Sequence, residues 1–311
     1  MSITWQILTV SRRLFFMQWS DLSQAHDALL GTLISVEDGV DVRILDCDGH
    51  VLETMELTIA EPHTHLFVRV RTGVSAQVSV TVVPQENACT HTVEIILEED
   101  AQLTYLCLQD ASPSSAMTIR QRTQIGTDAS LIVQNITLGG QTVDHDLVSR
   151  VVGNDATSGI DWVFYGKGKE RQKLTVRNIF DAKNGGGEIL MKGVAQDTAH
   201  VAANGLIEIG LQGGGTNTYL TQNVLMLDRT SKVDAIPGLE IKTNDVKASH
   251  SATVSRVTPE DLFYFAARGI PEPEARRMYV LGFLGDIAAR IPSTPVRHHV
   301  LERVEEKYAR A

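Results

Sequence analysis

The chain has 311 residues, 43% hydrophobic and 21% charged, enough for one large all-β domain or two smaller domains of an ordinary globular kind. A net charge of −10 argues against a nucleic-acid-binding protein, and no apolar run approaches the roughly 20 residues that a membrane-spanning helix needs. Three cysteines at wide spacing, Cys47, Cys89 and Cys107, exclude a disulfide framework, a zinc ribbon and a thioredoxin-like pair. Buried free thiols in a reducing, cytoplasmic setting are expected.

In Met1 to Ser20, Arg12 and Arg13 stand beside Leu14–Phe15–Phe16. That apolar stretch is too short for a signal peptide, so an opening strand or loop is expected. Residues 1–76 read as an N-terminal region leading into a β-rich core over 77–256. From about Gln77 to Val246 short strand-like runs follow one another, among them Thr92–Leu97, Leu131–Leu138, Leu174–Ile179 and, as the last, Leu239–Val246. Val93, Ile95 and Leu97 share one face, as alternation on a half-buried strand requires. From Tyr105 onward the centres recur roughly every 14 residues, the mark of a repeated unit. An antiparallel sandwich would need tight Asn-Gly or Asp-Gly hairpins, which are scarce here. A flattened parallel β-helix with two facing sheets needs longer corners, such as Gly139–Gly140, Gly166-Lys-Gly168 and Gly213-Gly-Gly215. The spacing favours the β-helix slightly and leaves both open.

Composition changes at Thr258. Thr258-Pro-Glu-Asp261 reads as an N-cap, a proline at the first helical position and acids in the first turn, with Gly269 ending the helix. A second helix begins near Pro273 with Met278, Leu281, Leu284, Ala288 and Ile291 in one stripe. Thr294–Pro295 opens a third, lined by Val296, Val300, Leu301, Val304 and Tyr308. Residues 257–311 are therefore expected as a C-terminal α-helical subdomain. Its charges nearly balance, so the chain's acidity lies in the β-rich part.

The segment Ile236-Pro-Gly-Leu-Glu-Ile-Lys-Thr-Asn-Asp-Val-Lys-Ala-Ser-His-Ser-Ala-Thr-Val254 closely resembles the signature of the SufB/SufD family of iron–sulfur cluster assembly scaffolds. Glu260-Asp-Leu-Phe-Tyr264, Arg268-Gly-Ile270, Arg177-Asn-Ile-Phe-Asp181 and Ala203-Asn-Gly-Leu-Ile-Glu208 match further family elements, so the resemblance runs from about Asp144 to Leu284. It implies a mainly β protein with a right-handed parallel β-helix and C-terminal helices, acting as a non-catalytic scaffold in SUF-type cluster assembly. It also implies pairing with a SufB/SufD-like subunit or with itself as a homodimer; the last strand, Leu239–Val246, is followed by helices and not by a capping coil, so its edge, with Leu239, Ile241 and Val246, is the expected interface. A SufC-like ATPase would dock on the helices, through Leu262, Phe263, Tyr264, Arg268, Met278 and Leu281. Iron or an iron–sulfur cluster would be held transiently and shared with the partner. No nucleotide, nucleic acid or membrane binding is implied for this chain.

Departures from the pattern bear on the ligands. Where SufD-like sequences carry a Cys two residues before the His, this chain has Ala248. Where SufB-like sequences carry a Glu after it, this chain has Ser251. The SufB Cys one strand earlier falls near Thr221 or Gln222, and no Cys follows Cys107. Thiolates are the usual cluster ligands, so His250 alone survives as an interface iron or cluster ligand.

A different class of reading rests on other residues. His63-Thr-His65, with His91 and Glu94, could make a cupin-like metal site. Asp144-His-Asp146 places two carboxylates on one strand face, as acid–base polysaccharide cleavage on a β-helix would use. A β-helix carbohydrate-active or metal-dependent enzyme is therefore the alternative. Gly166-Lys-Gly-Lys169 lacks the order of a phosphate loop.

Overall fold

The computed structural model describes residues 8–10, 40–49 and 54–309. Most of the Met1–Ser20 segment thus lies outside the described residues. Two sheets face each other, and successive strands alternate between them. The front sheet holds β1 (Leu8–Val10), β2 (Asp41–Cys47), β4 (His63–Val70), β6 (Ala88–Leu97), β8 (Ala116–Ile125), β10 (Thr142–Val151), β12 (Arg171–Phe180), β14 (His200–Ile209) and β16 (Lys232–Ile241), in that spatial order. The back sheet holds β3 (Met55–Ile59), β5 (Ser75–Val82), β7 (Gln102–Gln109), β9 (Ser130–Thr137), β11 (Thr157–Gly166), β13 (Gly186–Ala195), β15 (Asn217–Met226) and β17 (Lys247–Arg256). Apart from the antiparallel β1–β2 pair, the pairings are parallel: Thr142 of β10 lies between Ala116 of β8 and Arg171 of β12. One coil thus takes two strands of the 14-residue spacing, and the chain is a two-sheet parallel β-helix. Parallel strands already run through β2, β3 and β4, and the expected boundary at 76/77 falls inside β5.

Alternation builds the interior. On β8, Met117, Ile119, Gln121, Thr123 and Ile125 point inward and are buried, while the residues between them face out. Facing rows stack into one long core that includes Trp162 and Phe164. Several polar residues in this core pair with each other. Gln121 and Asn135 exchange bonds of 3.2 and 2.8 Å, and the Thr123 hydroxyl donates to Ser149 at 2.7 Å.

The front-to-back corners stack as well. Asp100, Asp128, Asp155 and Asn184 have φ of +56° to +58°, and each N–H donates to the corresponding turn of the next coil at 2.9 Å. Asp and Asn tolerate this left-handed conformation better than other side-chain-bearing residues. Buried Ala101, Ala129 and Ala156 follow three of them and start the next strand inward.

Helices α1 (Pro259–Ala266), α2 (Glu272–Ala288) and α3 (Thr294–Ala309) follow the stack. A capping box starts α1: the Thr258 hydroxyl accepts from the Asp261 N–H at 3.2 Å, and the Asp261 carboxylate accepts from the Thr258 N–H at 2.9 Å. Helices α2 and α3 lie on the outer surface of the back sheet. Val280, Leu284, Ile287, Ile291, Val300 and Val304 form a second apolar cluster with Leu106, Leu108, Ile136, Leu138, Val163 and Leu225. The buried stripe of α2 is thus rotated from the expected one, leaving Met278 41% exposed. Ion pairs fasten this layer: Lys192 to Asp286 at 2.6 Å, Arg290 to Asp161 at 2.6 Å, and Lys307 to Glu170 at 2.7 Å. Among the described residues no helix is long and apolar enough to cross a membrane.

Candidate functional site

The last coil, β16 and β17, differs from every coil above it. Among the described residues each of its strands has a neighbour on one edge only, β14 and β15 respectively, so no described strand pairs with the opposite edge. Pro237 within β16 fits that position, because proline belongs on edge strands. The inner rows of the stack run out here. Leu239 lies under Ile207, Ile241 under Ile209, His250 under Leu220 and Val254 under Val224. The upper member of each pair is fully buried, whereas Ile241 and Val254 are 42% and 46% exposed. Val246, in the connection between the two strands, and Ala248 are half-buried against the core. The stack therefore ends in an open, partly apolar mouth.

His250 sits in this mouth, exposed, in the middle of β17. The strand-like runs of the sequence instead end at Val246, with His250 just after the Asn244–Lys247 run. The structure corrects this: the stack carries one strand more. The reason is chemical. With no coil below it, β17 does not need the bulky inward residues of interior strands, so Ala248, Ser249, Ser251 and Ala252 carry little alternation signal.

Ala248 and Ala252 flank His250 on the inner row and offer no ligand atoms. Thr221 pairs with Ser251 one strand above, while Gln222 is buried and donates to the Ala203 carbonyl at 3.1 Å. Cys107 is separated from β17 by four intervening strands, roughly 24 Å at about 4.8 Å per strand. Burial pushes its thiol up to about 12. Cys47 and Cys89 are likewise free and buried, with thiols raised first by desolvation. Among the described residues no three His, Cys, Asp or Glu side chains converge to hold a metal. Among the described residues His250 is the one imidazole on the inner row of the last coil.

The residues behind the enzyme reading are tied up elsewhere. Thr64 and His91 are buried on the inner face, with the hydroxyl 2.5 Å from the ring Nδ1. His65 faces outward and meets Glu94 at 3.1 Å. The imidazoles thus lie on opposite faces of the front sheet. Burial pulls His91 down to about 3, with positive neighbours His65 and Arg43 adding to the shift. Asp144 and Asp146 do share the outer face, but each pairs with an arginine, Arg120 at 3.1 Å and Arg122 at 2.6 Å. His145 between them points inward, edge-on to Trp162 with ring centroids 4.4 Å apart. Lys167 donates to the carbonyls of Lys307 and Tyr308 at 3.1 and 2.9 Å, closing the end of α3.

Of the helical residues expected to meet a partner, Phe263 and Tyr264 are 73% and 57% exposed and Met278 is exposed. The Arg268 guanidinium stacks 3.6 Å over the Tyr264 ring. Leu262 and Leu281 are half-buried, Leu281 against the second cluster.

Comparison with known proteins points to one family. The family model described as "SUF system FeS cluster assembly, SufBD core domain" matches residues 53–283. An iron–sulfur cluster assembly SufBD family protein of Mycobacterium tuberculosis is 29% identical over 84% of this chain and 69% of its own length. The iron–sulfur cluster assembly protein SufD of Bacillus subtilis is 29% identical over 81% of this chain and 56% of its own length. A SufBD family protein of Staphylococcus saprophyticus is 29% identical over 64% of this chain and 43% of its own length.

Proposed function

The chain belongs to the SufB/SufD family of the SUF iron–sulfur cluster assembly system, and we propose on that premise that it is a non-catalytic, cytoplasmic scaffold subunit of the assembly complex. It pairs through the mouth of its last coil with a SufB/SufD-like subunit or a second copy, and iron or a nascent cluster is held as cargo at that junction. His250 supplies this chain's ligand. The observation that carries the reading is the open last coil, where unpaired strand edges, half-exposed Ile241 and Val254, and His250 coincide. Exposed edges of this kind are either blunted or paired. A single imidazole binds iron weakly, so the remaining donors come from across the junction.

A SufC-like ATPase docks on the helical layer through Phe263, Tyr264, Arg268 and Met278, with Leu262 and Leu281 beneath. Support comes from the exposure of Phe263 and Tyr264 on α1, which buries no residue, and of Met278 on α2, whose buried stripe is already used against the back sheet.

Sedimentation of wild type and Val254→Glu, each with and without a SufB/SufD-like partner, tests the pairing. The expected result is a dimer or a one-to-one complex for wild type and its loss in the variant. A wild-type chain that stays monomeric at tens of micromolar and ignores the partner contradicts the proposal.

A further inference from the structure

The two outer faces of the stack are used differently. Helices α2 and α3 cover the back sheet, but among the described residues no element lies over the outward face of β8, β10 and β12. That face is basic although the whole chain is acidic. Its outward positions hold six cations, Arg120, Arg122, Arg150, Arg171, Lys173 and Arg177, against two carboxylates, Asp144 and Asp146. Local carboxylates neutralise the first three: Asp144, Asp146 and Asp181 lie 3.1, 2.6 and, for the short Arg150 contact, within bonding distance. The cations of β12 are left over. Arg171 and Arg177 have no ion-pair partner among the described residues, and Lys173 reaches Asp144 only at 3.9 Å with 63% of its side chain exposed.

Spacing tells what fits. Arg171, Lys173 and Arg177 occupy three of four consecutive outward positions on one strand, about 6.8 Å apart for each two-residue step. An extended polypeptide carrying Asp or Glu at alternate positions has the same repeat. A cleft of about 370 Å³ opens beside Arg171 and Lys173, lined also by Thr118, Thr142, Asp144 and His200. Nucleic acid fits less well. The face carries no Phe, Tyr or Trp on which bases could stack.

We propose that the outward face of β8–β10–β12 is a docking surface for an acidic, extended segment of a partner protein, with Arg171, Lys173 and Arg177 as its anchors. This site is independent of the last coil and of the family-level reading, and it stands or falls on its own test. The probe is a fluorescein-labelled peptide with Glu at four alternate positions separated by Thr and Val. Its binding to the full chain is followed by anisotropy at low salt and in 0.5 M salt. A second peptide of identical composition, with its Glu residues contiguous, tests the spacing. The triple variant Arg171→Gln/Lys173→Gln/Arg177→Gln is expected to bind the alternating peptide at least about tenfold more weakly. A control of equal charge change, Lys169→Gln/Lys183→Gln/Arg229→Gln, should remain within about twofold of wild type. High salt should weaken wild-type binding to the level of the triple variant. Equal losses in the two triple variants would overturn the proposal. So would equal affinity for both peptides, tighter binding of an oligothymidine or of phosphatidylglycerol vesicles, or peptide binding only to a dimer formed through this face. A circular-dichroism melt checks that both variants are folded, and because the substitutions lie at exposed outward positions they should be.

Discussion

Lys307 is the sharpest handle on how the helical layer is held. Its side chain is 4% exposed, and its ammonium donates to both Glu170 oxygens, at 2.7 and 3.0 Å, and to the Leu138 carbonyl. Lys307→Met keeps the aliphatic stem and removes three donated bonds. Breaking one side of a buried pair costs about 3–5 kcal/mol. Glu170 retains 16% exposure and still accepts from the Lys167 N–H at 3.0 Å, so the cost should fall to about 2–3 kcal/mol. The loss is local. It should appear as release of α2 and α3 from the back sheet, not as melting of the stack, because coils contact mainly their neighbours. Native-state hydrogen exchange reads it directly: amides buried in α3 around Val300 and Val304 should exchange roughly 30- to 150-fold faster, while those of β14 stay unchanged. A change below about twofold, or equal acceleration throughout, would refute the reasoning. Adding Glu170→Gln should recover part of the loss, since the orphaned carboxylate is then neutral.

Stability should also fall with acid below neutrality. His91 is buried and held down to about 3 in the fold against an ordinary imidazole value near 6.5. The unfolded chain therefore takes up the proton first, so stability is complete above about pH 6.5 and is lost as pH falls toward 3, by about 2 kcal/mol at pH 5. His145, shifted the same way by burial, adds to the slope. His91→Gln should flatten the urea-midpoint profile between pH 7 and 5, and an unchanged profile would count against the assignment. At the corners, Asp128→Gly should be tolerated within about 0.5 kcal/mol while Asp128→Val costs about 1–2 kcal/mol, because φ is +56° there; thermal melts distinguish the two. Phe263→Ala/Tyr264→Ala should weaken capture of a SufC-like ATPase by at least about tenfold without changing the melting temperature by more than a few degrees. These point variants are the proper test of docking, since removing everything after Arg256 would bare Leu106, Leu108, Ile136 and Val163 on the back sheet.

The architecture was legible where side chains obey one local rule. The 14-residue spacing marks a repeated unit and the family resemblance makes it a two-strand coil, while inward rows follow from alternation and α1 from its capping box. The corner ladder carries a signal as well: Asp100–Ala101, Asp128–Ala129, Asp155–Ala156 and Asn184–Gly185 recur at near-constant spacing, an Asp or Asn that accepts positive φ before a small buried residue. Docking of the helices had a signal too. Leu106–Cys107–Leu108 and Trp162–Val163–Phe164–Tyr165 are continuous apolar runs, which mark strands buried on both faces. What could not be read is which distant groups meet. Lys307 and Glu170 are 137 residues apart, and no periodicity links them. His250 was found through the family signature, but its place in a strand at the end of the stack depends on the absence of a coil beneath it.

Iron retained per assembled complex after anaerobic purification, wild type against His250→Ala, bears most directly on the proposed role. Since His250 is exposed in the last coil, the substitution should leave assembly and thermal stability nearly intact. The account predicts an intact complex with clearly less iron in the variant. Equal iron in both complexes would contradict it, leaving the mouth of the stack a docking surface without a ligand from this chain.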